Sequence, residues 1–187
     1  RIKRGKELQR ELKGYEGMVG CAEYAEQAWQ QFSLAEEQHQ SVKEILERKL
    51  QPTELTYARY LGTAEQVYLS LLDNLREIAN ILKSVSSIDS NHIENRLRFL
   101  GRLENPTEAD VQEKVTLIDR KGVRQQQLDD VNGMLTQNEQ ILTDFGKTIA
   151  AIAKMKTVRG QASVDMETAR KELVQLAERA QSYVISN

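Results

Sequence analysis

The sequence predicts an all-α protein: an elongated antiparallel helical bundle with coiled-coil-like packing. Three observations predict it. The only two prolines sit in matching tetrapeptides, Gln51-Pro52-Thr53-Glu54 and Asn105-Pro106-Thr107-Glu108. Apolar residues recur at steps of three and four along the chain, which places them on one face of a helix. Alternating runs of β-branched residues, the mark of strands, are missing. Each tetrapeptide reads as a helix start, with Pro at the first helical position and Glu two positions later. Asn105 is a good cap residue and Gln51 a weaker one.

These starts divide the 187 residues into segments of about fifty, with a shorter tail. The expected helices run over about 3–50, 53–103, 107–157 and 161–185, within one elongated domain spanning 1–187. The first carries Phe32, Ala35, His39 and Val42, preceded by the small residues Cys21, Ala25 and Ala28. The second has a strict heptad seam of Leu61, Ala64, Tyr68, Leu71, Leu75, Ile78, Leu82 and Val85. The third has Leu128, Val131, Leu135, Asn138, Leu142, Phe145, Ile149 and Ile152, and the fourth Met166, Ala169, Leu173, Leu176 and Tyr183. Asn132-Gly133 could make a hairpin turn, but it lies inside the third seam and reads as helix interior.

Reversals near Gln51, Asn105 and Arg159-Gly160 bring these seams face to face. They set Phe32 opposite Leu71, Leu75 opposite Leu135, and Leu173 opposite Phe145. At about 1.5 Å per residue the three long helices would span roughly 70–75 Å. The fourth is half as long, so one end should hold four helices and the other three. The alternative is that Ser84-Val85-Ser86-Ser87-Ile88-Asp89-Ser90 breaks the second helix, with Asp89 or Ser90 capping a new one.

The three long segments change apolar phase at one common height. The first uses Leu8, Leu12, Tyr15 and Val19, the second Ile93, Leu97 and Leu100, and the third Val111, Val115 and Ile118. Weak helix formers sit at that height, so a bend or hinge is expected at Gly14, Gly17, Ser87 and Gly122. An accommodated stutter in a stiff rod is the competing expectation.

Composition excludes more than it assigns. Charged residues make up 29% and aromatics 5%, a balance suited to long, narrow helical packing. The net charge of −2 gives no general reason to bind nucleic acid. The lone Cys21 excludes an internal disulfide and suits a reducing compartment. No apolar run approaches the roughly 18–20 residues that span a bilayer, and no signal peptide is visible. The chain begins with Arg1 rather than Met, which predicts a fragment or processed form of a longer protein. The expected location is the cytoplasm, with peripheral or tethered attachment to a membrane as the alternative.

Glu36-x-x-His39 and Asp89-x-x-His92 have the ligand spacing of di-iron bundles. The pairing above puts them at opposite ends, so no metal site is expected and His39 reads as packed in the seam. Asn138, polar on a seam, is expected to set register. Gly14, Gly17 and Gly20, with Cys21, Ala25 and Ala28, resemble no phosphate loop and would permit close approach of another helix. Residues 1–13 carry Arg1, Lys3, Arg4, Lys6, Arg10 and Lys13 against Glu7 and Glu11, a candidate contact for anionic lipid. Tyr57 and Tyr60, near the first turn, are candidate partner contacts.

No catalytic constellation is visible, and no enzyme, cofactor or small-molecule substrate is expected. By architecture alone the chain is similar to BAR-type membrane-shaping domains, PspA-like helical hairpins and spectrin-type spacers. The expected function is a non-enzymatic helical scaffold or protein–protein interaction module, working through a protein partner or self-association. The alternatives are a membrane-associated shaping protein and a signal-relay or sensor bundle of a larger membrane protein.

Overall fold

The computed structural model describes residues 2–15, 20–51, 54–155 and 162–185, with side chains described from residue 7 in the first stretch and over 167–182 in the last. Among these are six helices and no strand: α1 (Ile2–Lys13), α2 (Ala22–Lys49), α3 (Leu55–Ser86), α4 (Ser90–Leu100), α5 (Glu108–Lys154) and α6 (Ala162–Ile185). The all-helical antiparallel bundle is as the sequence predicts. Two of its four expected segments are each divided in two.

The second segment breaks at the serine cluster, which is the alternative the sequence offered, and its second part, α4, ends at Leu100. The Ser86 and Ser87 hydroxyls donate to the carbonyls of Lys83 and Ser84 (2.7 and 2.6 Å), which draws the last turn of α3 away from regular bonding. Asp89 then caps α4, its carboxylate accepting from the His92 amide at 2.9 Å. Equal segment length was a poor guide, because a cap residue after a serine run outweighs it.

The Pro106 start is also shifted. Thr107, not Asn105, caps α5. Its hydroxyl accepts from the Asp110 amide (3.2 Å), and Asp110 accepts from the Thr107 amide (2.8 Å), a reciprocal capping box. At the other start, the Gln51 amide donates to the Glu54 carboxylate at 2.9 Å.

Four helices make the main bundle. α3 and α5 touch each other and both α2 and α6, while α2 and α6 make no contact among the described residues. Consecutive long helices are antiparallel, so α2 runs parallel to α5 and α3 parallel to α6. The expected α3–α5 register holds to within about one position: Asn74 bonds Asn138 and Ser84 bonds Gln127. Leu71, Leu75, Ile78, Leu82, Leu135, Leu142, Phe145, Leu173 and Leu176 are fully buried between the helices.

The first segment departs most from expectation. It stops after Lys13, and α1 folds back along α2 instead of extending it. Leu12 lies beside Ala25 and Trp29, which a straight helix would separate by about 20–25 Å. The Tyr15 hydroxyl meets the Ala79 carbonyl at 3.4 Å. Gly20 has φ +82°, a left-handed conformation that glycine adopts without penalty. The small residue Ala25 leaves room for the groove in which Leu8, Leu12 and Tyr15 are buried against α2 and α3.

Consequently α4 and the start of α5 stand as a two-helix hairpin where a three-helix end was expected. It has its own small core of Ile93, Leu100 and Leu117, flanked by Ile88, Leu97 and Leu103.

A core position and a surface position predict different responses to truncation. Leu75→Ala should cost about 2–5 kcal/mol in urea unfolding, because it opens a cavity among fully buried side chains. Val115→Ala, at a half-exposed position, should stay within about 0.5 kcal/mol of the parent.

Candidate functional site: a polar girdle and an exposed apolar face

Two features stand out from the ordinary packing. The first is a set of amides crossing the middle of the bundle. The Gln31 amide, 3% exposed, donates to the Leu135 carbonyl (2.8 Å) and to the Glu139 carboxylate (3.1 Å). One heptad on, Gln38 donates to the Leu142 carbonyl at 3.0 Å. Gly146 admits that amide, since a Cβ there would lie 3.0 Å from Gln38 Nε2. At the same height Asn74 Nδ2 donates to Asn138 Oδ1 at 2.9 Å, with both residues buried. The opposite arms, Asn74 Oδ1 and Asn138 Nδ2, are buried without a partner among the described residues. His39 stacks on Tyr68 with centroids 4.6 Å apart, a packed histidine as the seam implied.

The interior members are neutral carboxamides, which can fix register but cannot transfer protons or attack carbonyls. Asn138 sits where a register-setting residue should, and its partner is Asn74 on α3. Gln31 and Gln38 were missed by sequence reasoning. They lie beside the seam rather than on it, and only the parallel α2–α5 pairing gives them a role.

The second feature is the outer face of the α4–α5 hairpin. Val111, Val115 and Ile118 share one side of α5 and are 52%, 48% and 51% exposed. Phe99 on α4 and Val123 further along α5 are exposed as well. Leu117 points the other way, into the hairpin core. The hairpin is fastened by Arg96, whose guanidinium makes a two-pronged contact with Glu113 (2.6 and 2.7 Å) and lies 4.9 Å from the Phe99 ring centroid. Lys121 adds a contact to Glu94 at 3.5 Å.

The remaining expected residues fall as follows. Gly14 lies in the turn after α1 and Ser87 is the C-cap of α3, both at helix ends. Gly122 lies inside α5, which runs through it as one helix. Gly17 lies outside the described residues, as do Arg1 and the side chains of Lys3, Arg4 and Lys6. Arg10 and Lys13 are exposed on α1.

Tyr57 and Tyr60 do not form the expected partner surface. Both are buried, because α3 is covered here on several sides at once. The Tyr57 hydroxyl faces Glu47 at 3.4 Å, and burial pushes the Tyr60 phenol up to about 12. Cys21 is buried too, and burial raises its thiol above the ordinary range despite the nearby Arg124, which makes it a poor nucleophile. Among the described residues, no three His, Cys, Asp or Glu side chains converge as metal ligands. No helix there is long and apolar enough to cross a membrane. The chain matches no protein-family model, no curated protein and no solved structure.

Both features yield expectations. Asn138→Leu alone should destabilise by about 1–3 kcal/mol, because it strands the buried Asn74 amide. Adding Asn74→Leu should recover that loss in urea unfolding. In the hairpin, the Arg96 hydrogen bonds lower the Glu113 pKa and the Thr107 hydroxyl lowers that of Asp110. A depressed carboxylate pKa stabilises the folded form above the unfolded value and loses that effect as pH falls through the folded one. Hydrogen-exchange protection in α4 and the first turns of α5 should therefore fall below about pH 4, ahead of that in α3.

Proposed function

We propose that this chain is a non-enzymatic helical scaffold or interaction module, and that the α4–α5 face is its contact surface. One observation carries the reading. Val111, Val115 and Ile118 are large, apolar and about half exposed along one side of α5, and exposed apolar groups sharing one face mark interaction sites. Elsewhere the amide donors of Gln31, Gln38 and Asn74 bond across the helices. Self-association through this face is the simplest form of the proposal.

A second reading has its own observation. At the hairpin tip Phe99 is exposed beside Arg98 and Arg102, which are exposed as well. An apolar ring beside guanidinium groups suits an anionic lipid surface. Co-sedimentation with phosphatidylserine vesicles at low salt tests it. Binding lost in Arg98→Glu/Arg102→Glu would support this reading, and no binding by the parent would remove it.

The main proposal is tested by light scattering across the micromolar range. The parent should form a dimer or higher species, and Val115→Asp/Ile118→Asp should return it to monomer with unchanged helix content. A parent that stays monomeric throughout would overturn self-association through this face.

A further inference from the structure

At about 100° per residue, Val111, Val115 and Ile118 fall within about 60° of one another around α5. Val131, Asn138 and Ile149, which α5 buries in the main bundle, lie about half a turn away. The apolar line therefore faces out from the bundle, and its next position is Gly122. A Cβ at Gly122 would meet nothing within 4 Å, so a neighbouring helix has room to come close there. The steps of four, three and four put Val111, Val115, Ile118 and Gly122 at d, a, d and a positions of a heptad.

The two flanks of this line differ in charge. Lys114 and Lys121 occupy g positions on one side, and Asp119 the e position on the other. All three are exposed. Lys114 and Asp119 take part in none of the ion pairs formed among the described residues. In a parallel pair of α5 helices, a g side chain meets the e side chain five positions on in its neighbour. Lys114 of each copy would then meet Asp119 of the other, once on each side of the seam. An antiparallel pair brings like flanks together and sets Lys114 beside Lys121 of the second copy, which is repulsive.

We propose that two copies of this chain dock through the α5 seam in parallel and in register, with Lys114 of each paired to Asp119 of the other. The proposal rests on self-association through this face and adds its direction. The main bundle lies on the far side of α5 from the seam, so it stays clear of the second copy. Asp129, the next a position after Gly122, would face its own copy, so the contact ends near Gly122 and the two bundles splay beyond it. The parallel arrangement sets both hairpin tips at one end, where Arg98, Phe99 and Arg102 of the two copies form a joint surface.

Pulsed electron paramagnetic resonance on the whole chain reads the direction from a single label at Thr136→Cys, in a Cys21→Ala background. Thr136 is exposed on α5, well outside the contact. A parallel dimer should give about 15–35 Å between the two labels, and an antiparallel one about 55 Å or more. The charges give a second readout by light scattering. Lys114→Asp should weaken the dimer about 5- to 30-fold, and Lys114→Asp/Asp119→Lys should restore it to within about twofold. In an antiparallel dimer Lys114→Asp would tighten the contact instead, by facing Lys121. A dimer with only the long distance, or one that Lys114→Asp leaves unchanged or tightens, would overturn the parallel seam and leave self-association standing. A parent that stays monomeric would overturn both.

Discussion

The Gln31 amide is almost wholly out of solvent and donates to a carbonyl on a helix 104 positions along the chain. Gln38 repeats the contact one heptad later. Heptad seams alone tolerate sliding by a repeat, because one apolar layer resembles the next. Buried amides do not, since a slip leaves a donor or acceptor without a partner at about 1–3 kcal/mol each. The Asn74–Asn138 bond applies the same constraint to α3 and α5 at the same height. These contacts fix one register for three helices, and the positions of both ends follow from it.

At the far end, the α2–α5 register carries Gly20 onto Arg124 and leaves the hairpin beyond it without a third helix. α1 has turned away into the α2–α3 groove, where the small Ala25 gives it room. Val111, Val115 and Ile118 are on the surface there. The exposure of the surface proposed for contact goes with the turn around Gly20, whose φ is positive.

Much of this was legible in the sequence. The heptad seams gave the long helices, their antiparallel order and most of the core, because each seam is a physical face that must be covered. Asn138 was legible because a polar residue on a seam is conspicuous. The breaks were harder. The Ser84–Ser90 stretch held a stop signal and a cap, yet segment length argued for continuity. Gly14 signalled a hinge and Gly20 the close approach of another helix, and neither signalled the direction of the turn. Tyr57 and Tyr60 misled because their residue type suggests surfaces, while α3 is the helix with most of its circumference covered. Gln31 and Gln38 were invisible to antiparallel pairing, since their partners belong to the parallel neighbour.

The account rests on buried amides fixing register, and nuclear magnetic resonance of the side-chain NH2 groups observes them directly. The Gln31, Gln38 and Asn74 amide protons should exchange slowly with solvent. They should also show cross-peaks to Leu135, Leu142 and Asn138 respectively. Fast exchange at all three, or cross-peaks to residues a heptad away, would contradict it.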